Sequence, residues 1–377
     1  MAKEVNLRTW IEVDKMALEH NYAEFKRLLR PSTKLMAVVK SNAYGHGLVE
    51  CGQYFASIGA DWLGVDSVVE AYKLRQVGIQ TPTLVFGYIV EKNIEQAVEE
   101  NISVTVSNFE VLGMIMRLNL SKKIKVHIKI DSGMHRQGFQ STEIPELIKR
   151  LEPAASKLEI EGVYTHFASA KKPSQSSATR SQVEIFESAC QALEAAGHEF
   201  IRHAAATGGS LVYPEAHYDM VRIGIGLYGL WPSEEVRREH SKATTPKPAL
   251  SWKTIVTEVK TVKKGESIGY DFTHTFAGDA RVAILPIGYW HGYDRELSNK
   301  AWVFVRGKRA KVIGRVSMDM VTIDVTEIDG VKPGDEVVLL GNQGTQEITA
   351  DELAGYCQTI NYEIVTRLNP RMKRLLK

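Results

Sequence analysis

The sequence predicts an α/β fold, with an N-terminal TIM (β/α)8 barrel in residues 1–235 and a C-terminal, mostly β domain in residues 236–377. Three observations lead to this prediction. Short apolar runs alternate with helix-like stretches up to Trp231, the composition then becomes polar, and the remainder is rich in β-type segments. A chain of 377 residues also suits two domains better than one.

The predicted barrel consists of eight candidate strands separated by amphipathic stretches such as Val68–Val77 and Arg180–Ala195. These strands are apolar on both faces, which is typical of a parallel sheet covered by helices. Their number favours a barrel over an open sheet, although seven or nine strands also fit the pattern. The candidate strands are Leu35–Lys40, Asp61–Asp66, Thr83–Tyr88, Ser103–Ser107, Lys125–Asp131, Glu159–His166, Phe200–Ala205 and Met220–Leu227.

The second domain is predicted to follow a polar, proline-bearing linker at Pro232–Pro248. A short helix is expected at Ala350–Tyr356, and the basic tail, Arg371–Lys377, is expected to be solvated. The candidate strands of this domain are Ile255–Val262, Val282–Ile287, Trp302–Val305, Lys311–Ile313, Met320–Val325 and Glu336–Leu340.

Composition and charge narrow the class of protein. A formal net charge of +2 gives no reason to expect nucleic acid or an anionic membrane as a partner. Cys51, Cys190 and Cys357 are scattered, which argues against a disulfide framework or a metal site and favours a reducing compartment. The N-terminal stretch up to Lys15 lacks the apolar core of a signal peptide, and no window suits a transmembrane helix. We therefore expect a cytoplasmic enzyme.

Lys40 directly follows the apolar run 35–39 and precedes the sequence SNAYGHG. A lysine at the rim of a core can lose hydration, so that its pKa falls and its amine becomes nucleophilic towards a carbonyl group. That is the setting for a Schiff base with pyridoxal phosphate. The alternative is a strand-end lysine that only extends to solvent.

Several motifs together resemble the alanine racemase family over nearly the whole chain. Each motif alone is modest evidence, but their order and spacing cover both predicted domains. The motifs are VVKSNAYGHG (38–47), KIDSGMHRQGF (129–139), GVYTHFA (162–168), MVRIGIGLYG (220–229), PIGY (286–289), GRVSMD (314–319) and TINYE (359–363).

The resemblance implies pyridoxal 5′-phosphate as cofactor. An arginine in place of a carboxylate at the ring nitrogen cannot accept a proton, so the ring stays neutral and reprotonation at the α-carbon is favoured over transamination. The resemblance assigns that position to Arg222 and implies that His166 orients it. The cofactor-binding residues implied in this way are Lys40, Tyr44, His166, Thr207, Arg222, Gly224 and Ile225.

The resemblance also implies two catalytic bases and a homodimer. Lys40 would serve one face of the α-carbon, and Tyr270 would reach the site of the neighbouring subunit to serve the other. Arg136 and the backbone of Met318 would bind the substrate carboxylate. Lys129 matches a lysine that is often carbamylated, and the anion would fix Arg136 in place.

Two departures from the family pattern affect the expected function, which is interconversion of L- and D-alanine for peptidoglycan. The stretch after Glu363 lacks a tyrosine expected at the substrate gate, where Asn369 or Pro370 stands instead. Lys171 and Lys172 follow the His166 motif where relatives have acidic residues; they either line the entrance or face solvent. A serine or broad-specificity racemase therefore stays open as the alternative.

Two further classes fit less well. A pyridoxal-phosphate-binding homeostasis protein would lack the second domain and Tyr270, and a basic-amino-acid decarboxylase does not predict the GRVSMD and INYE segments.

Overall fold

The computed structural model describes residues 7–377, which form two compact units. The barrel unit contains residues 16–43 and 48–247, and the sheet unit contains residues 7–15, 44–47 and 248–377. This division differs from the predicted one, because the first strand, β1 (Thr9–Val13), pairs with strands at the C-terminal end of the chain. The first six residues of the segment assessed for a signal peptide lie outside the described residues.

The barrel unit contains the eight predicted strands, which are all parallel in one sheet. Its order is β8-β7-β6-β5-β4-β3-β2-β9, and a bridge between Ala206 and Arg222 brings the two edges together, so the barrel nearly closes. The predicted fold class is thereby confirmed. The strands are β2 (Lys34–Val38), β3 (Trp62–Val65), β4 (Thr83–Val85), β5 (Ser103–Val106), β6 (Ile124–Lys129), β7 (Leu158–Tyr164), β8 (Ile201–His203) and β9 (Met220–Ile223).

Local sequence explains where several helices begin. Ser67 and Glu70 form a capping box at the helix that follows β3, and the Asn108 side chain accepts from the N–H of Val111 after β5. The predicted linker contains a helix, because Ser233 caps its start and Val236 is buried beneath it. The helices up to residue 247 are Lys15–Arg27, Leu48–Ser57, Val68–Gln76, Ile94–Glu99, Phe109–Arg117, Ile144–Ala154, Ser176–Ala195, Thr207–Val212 and Glu234–His240.

The sheet unit is built on a ten-stranded sheet in which β1 lies between β10 and β20. Its pairs are antiparallel except for that of β1 with β20. Helices Ala350–Cys357 and Asn361–Thr366 complete the unit. Apart from β1, the strands of the ten-stranded sheet are β10 (Leu250–Ile255), β11 (Glu258–Val262), β14 (Ala280–Leu285), β15 (Trp302–Val305), β16 (Lys308–Ile313), β17 (Val321–Asp324), β18 (Glu336–Gln343), β19 (Gln346–Ile348) and β20 (Arg374–Leu376). Strands β12 (Ser267–Ile268) and β13 (His274–Thr275) form a separate two-stranded sheet.

The basic tail is part of this sheet, so the prediction of a solvated tail is wrong. Arg374 is only 5% exposed, and its guanidinium donates to the carbonyl oxygens of Gly45, Leu368, Asn369 and Met372. Burial of this charge is tolerated because each bond goes to a strong backbone acceptor. Across residues 7–377, no helix is long and apolar enough to cross a bilayer.

Candidate active site

Lys40 stands at the carboxyl end of β2, where a barrel enzyme places its site. Its Nζ lies 3.1 Å from Asp66 Oδ1, beyond the end of the neighbouring strand β3. The next four residues, Ser41 to Tyr44, all have positive φ values of 55°, 56°, 52° and 52°. A left-handed run of non-glycine residues costs roughly 1–2 kcal/mol each, so the surrounding structure must hold this turn.

Glu70 holds the left-handed turn. One carboxylate oxygen accepts from the N–H of Ser41 (2.7 Å) and from that of Asn42 (3.3 Å). The other accepts from Asp66 N (2.9 Å) and Ser67 N (3.4 Å). A single carboxylate thus ties the residues after Lys40 to the end of the next strand. Sequence reasoning missed Glu70, although its capping-box spacing from Ser67 was visible.

Arg222 lies at the closing edge of the barrel and is 4% exposed. Its guanidinium donates to three carbonyl oxygens, of Thr165 (2.7 Å), Ala204 (2.8 Å) and His203 (2.9 Å). It also donates to the Nδ1 atoms of His203 (2.9 Å) and His166 (3.3 Å). Burial lowers the pKa of Arg222 to about 10, so it stays charged at neutral pH, and its bonds go to uncharged acceptors.

His166 is held neutral beside Arg222. Burial is the main cause of its pKa lying well below the ordinary value, and the nearby charges of Arg222, Lys129, Arg136 and Lys40 lower it further. A neutral imidazole can offer a lone pair to Arg222, as the 3.3 Å contact requires. The predicted pairing of His166 with Arg222 is therefore present in the structure.

Lys129 is buried at the end of β6, with its Nζ 4.1 Å from the centre of the Tyr164 ring. Burial, and then the charges of Arg222 and Arg136, hold its pKa well below the usual range. Lys129 is thus a buried amine whose charged form is disfavoured by its surroundings, close to the positive charges of Arg222 and Arg136.

Arg136 is exposed on a loop that Asp131 organises. The Asp131 carboxylate accepts from the N–H groups of Gly133, Met134 and His135, each at 3.0 Å. The loop returns at Gly138, whose φ is 126° and where a Cβ would lie 2.6 Å from the Asp131 nitrogen. The backbone therefore presents Arg136 from a closed loop next to Lys129.

Thr207 and Gly224 lie in direct contact in the barrel unit. Thr207 Oγ1 accepts from Gly224 N (3.2 Å) and also from Gly226 N (3.3 Å), on either side of Ile225. Gly226 was not predicted from the sequence. A Cβ at this position would lie 2.4 Å from the Phe25 ring, so a glycine is needed there. The result is a compact set of backbone N–H groups around one hydroxyl.

Three predicted site residues belong to the sheet unit. The Tyr44 ring is 6.2 Å from that of Tyr362, whereas Tyr270 and Met318 are 68% and 54% exposed. Tyr270 opens a short turn in which Asp271 pairs with Arg315 at 2.7 Å.

Asn369 does not act as an open substitute for the missing tyrosine. Its amide nitrogen donates to Trp290 O (2.8 Å), and its side-chain oxygen accepts from Arg371 N (2.9 Å). These bonds commit Asn369 to shaping the turn after helix Asn361–Thr366. Pro370, the other residue expected at the gate, lies in the same turn. In the barrel unit, Lys172 is exposed and Lys171 is half-buried.

No group of three or more His, Cys, Asp or Glu side chains suited to a metal ion occurs in the part of the chain that the structure describes. The charged cluster instead combines two lysines, two arginines and a neutral histidine in and just beyond the strands of a parallel barrel. Such a barrel, followed in the chain by a β unit, defines the class: an enzyme of the barrel-plus-β plan.

Comparison with known proteins identifies the family. Residues 13–232 match the family described as "Alanine racemase, N-terminal domain", and residues 249–376 match "Alanine racemase, C-terminal domain". The chain belongs to the alanine racemase family, whose members are isomerases. An alanine racemase of Symbiobacterium thermophilum is 44% identical over 369 residues, covering 97% of this chain and 96% of that protein.

Solved structures of similar fold support the same family assignment. The alanine racemase of Bacillus anthracis with bound L-Ala-P has a TM-score of 0.93 and 36% identity, covering 99% of this chain and 96% of that one. A histidine racemase of Leuconostoc mesenteroides has a TM-score of 0.84 and 29% identity, covering 99% and 98%.

Proposed function

We propose that this chain is an alanine racemase that interconverts L- and D-alanine with pyridoxal 5′-phosphate, as a homodimer with shared sites. The observation that carries the proposal is the arrangement around Arg222, a buried cation held by carbonyls and neutral histidines near Lys40 and Lys129. D-Alanine made in this way would supply peptidoglycan. Cys51, Cys190 and Cys357 form no disulfide, which favours a reducing, cytoplasmic location.

The barrel's donor groups fit pyridoxal phosphate. The Thr207 hydroxyl and the N–H groups around it, those of Gly224 and Gly226, suit a phosphate, and Arg222 suits a ring nitrogen that is to stay unprotonated. When bound, the cofactor supplies an electron sink for the charge left on the substrate α-carbon. The residues that would hold it are Lys40, Tyr44, His166, Thr207, Arg222, Gly224 and Ile225.

Two groups would move the proton. Lys40 Nζ would accept it on one face of the α-carbon, and the phenol oxygen of Tyr270 of the partner subunit would return it on the other. Arg136 and the Met318 N–H would orient the substrate carboxylate. The exposed turn that carries Tyr270 and the exposed side chain of Met318 suit groups that serve a second subunit.

Lys129 is a candidate for carbamylation. Only a neutral amine reacts with carbon dioxide, and the lowered pKa of Lys129 favours the neutral amine in its buried position. The carbamate anion would offset the charges of Arg222 and Arg136. Mass spectrometry of the intact protein after bicarbonate exchange, with Lys129→Ala as control, tests this assignment.

A broad-specificity racemase is the second candidate, favoured by the absent gate tyrosine and by the histidine racemase of similar fold. The test is chiral chromatography of products from L-alanine, L-serine and L-histidine with the wild type and Lys40→Ala. We expect the highest kcat/KM for alanine and no turnover by the variant. Equal rates for the three substrates would favour the second candidate, and no D-product from any of them would refute both.

A further inference from the structure

A line of polar side chains leads away from Arg222 through the interior of the barrel. Arg222 Nη1 donates to His203 Nδ1 at 2.9 Å, and His203 Nε2 lies 2.8 Å from His127 Nδ1. His127 Nε2 in turn lies 3.5 Å from Glu161 Oε2. Both imidazoles are 0% exposed, and the four residues come from β9, β8, β6 and β7. We name this set the histidine relay.

The chemistry of the relay fixes where each proton lies. A guanidinium can only donate, so His203 Nδ1 must be unprotonated and its proton must lie on Nε2. That proton is donated to His127 Nδ1, which places the proton of His127 on its own Nε2. The last N–H has no hydrogen-bond partner of good geometry among residues 7–377, and the Glu161 carboxylate is the charge that faces it.

Both histidines are neutral. Burial is the main cause that lowers their pKa values, and the charge of Arg222 acts in the same direction on both rings. Burial alone would raise the pKa of Glu161, but the nearby His127 N–H, a hydrogen bond from Ser103 and the charge of Lys125 bring it below its ordinary value. Glu161 therefore supplies a negative charge to the end of the relay at neutral pH.

The backbone is built to bring Glu161 into the barrel. In the pairing of β6 with β7, Val126 is opposite Ile160 but His127 is opposite Gly162, so Glu161 is the extra residue of a bulge. A bulge changes the direction of a side chain. A Cβ at Gly162 would lie 2.3 Å from His127 Nδ1, so the glycine leaves space for the ring.

Neighbouring rings hold the two imidazoles. Tyr164 stacks on His203 at 4.8 Å with an interplanar angle of 3°, and Trp62 contacts His127 edge-on at 5.2 Å. Ser103 Oγ donates to Glu161 Oε2 at 2.6 Å, which fixes the carboxylate. Every member of the relay is thus held in one orientation by packing or by a hydrogen bond.

We propose that Glu161 is a positioning residue for Arg222, because through His127 and His203 it fixes the lone pair that Arg222 requires. The part of this inference that concerns the cofactor rests on the proposed function. If His203 adopted the other tautomer, its N–H would face a guanidinium N–H. Arg222 would then lose one acceptor and shift from the place where it would hold the cofactor ring.

The test is the tautomer of each histidine in the cofactor-loaded protein. In ¹⁵N-histidine-labelled protein, long-range ¹H–¹⁵N spectra distinguish Nε2–H from Nδ1–H, and His203→Gln and His127→Gln assign the signals. We expect both rings to carry the proton on Nε2 in the wild type at pH 7. A doubly protonated ring, or Nδ1–H at either position, would overturn the proposal without any Glu161 variant.

Variants of Glu161 test the consequence for Arg222. Glu161→Gln keeps an oxygen acceptor and should stay within about threefold of the wild-type kcat. Glu161→Ala should give mixed tautomers, a changed absorption spectrum of the bound cofactor and at least tenfold lower kcat, as expected when an acid no longer fixes a histidine. Glu159→Gln, an exposed change on the same strand, is the matched control.

The readouts separate this inference from the proposed function. Unchanged tautomers and an unchanged spectrum in Glu161→Ala would overturn the positioning role even if the protein racemises alanine. Absence of any racemase activity in the wild type would refute the proposed function, while the tautomer spectra would still decide the proton positions. If Glu161→Ala fails to fold, the isosteric Glu161→Gln still tests the acceptor argument. Mixed histidine tautomers, or a kcat at least tenfold below that of the wild type, in Glu161→Gln would contradict it.

Discussion

The Glu70 carboxylate accepts a 2.7 Å hydrogen bond from the N–H of Ser41, the residue directly after Lys40. This bond joins the capping box of one helix to a left-handed turn made of non-glycine residues, Ser41 to Tyr44. The position of the proposed catalytic amine of Lys40 therefore depends on Glu70, thirty positions further along the chain.

Replacement of Glu70 by alanine should displace Lys40. The change removes bonds to a charged acceptor, worth about 1.5–3 kcal/mol, from a turn that is already strained. Because small displacements of a reacting group have large effects on rate, we expect kcat to fall by about tenfold to a hundredfold. Steady-state racemisation assays check this, with the exposed Glu95→Ala as control. Equal rates in the two variants would mean that the turn holds without Glu70.

Lys40 itself should carry the cofactor. Borohydride reduction of the loaded protein should leave a stable pyridoxyl adduct on the peptide that contains Lys40, detected by mass spectrometry. Lys40→Ala should lose the adduct and at least a hundredfold in kcat, about 2.7 kcal/mol in barrier. The exposed Lys172→Ala should behave as the wild type. Full activity in Lys40→Ala would exclude the assignment.

Shared sites predict complementation between two inactive variants. Lys40→Ala and Tyr270→Phe subunits, mixed in equal amounts and allowed to exchange, should regain about a quarter of wild-type activity. Half of the dimers are then mixed, and one of the two sites in each is intact. Subunit exchange is verified with differently tagged chains. Exchange without regained activity would contradict a site built from two subunits.

Acid should destabilise the barrel unit through its buried histidines. His127, His166 and His203 have lowered pKa values in the folded chain, because burial opposes their protonation. Below the unfolded value of about 6.5, the unfolded chain binds protons that the folded chain does not, so stability falls as pH falls. The slope approaches about 1.4 kcal/mol per pH unit for each histidine.

The measurement is urea unfolding followed by fluorescence between pH 7 and pH 5. We expect the midpoint to decrease steadily below pH 6.5, and the exposed His135→Gln to follow the same curve as the wild type. A midpoint that is constant over this range would show that the buried histidines take up protons without unfolding.

The gate position should tune discrimination between alanine and serine. Pro370→Tyr is the cleaner test, because Asn369→Tyr would also remove the bonds to Trp290 and Arg371. A hydroxyl-sized difference is worth about 1–3 kcal/mol, so the ratio of kcat/KM for L-alanine over L-serine should rise by about tenfold or more in Pro370→Tyr. An unchanged ratio would remove Pro370 from the gate.

Much of the barrel could be predicted because its strands are apolar on both faces, a pattern that few other structures share. Lys40 was found because it follows the apolar run of a strand, whereas the resemblance of the motifs pointed to His166, Thr207 and Arg222, which lie in or shortly after barrel strands. Residues 9–13 were included in the predicted barrel domain, and no strand was predicted there, because adjacency in sequence does not reveal which sheet a segment joins. Glu161 was missed because its direction depends on a bulge, which only the pairing of β6 with β7 reveals.

The order of the strands also bears on how the chain is made. β1 leaves the ribosome before any other strand, yet its two neighbours in the sheet, β10 and β20, are synthesised only after the whole barrel. The barrel strands are contiguous in the chain, so the barrel unit can close first. Until β10 emerges, both edges of β1 remain without their native partners, and one edge stays unpaired until β20 emerges, so stalled or truncated chains should be the ones that aggregate.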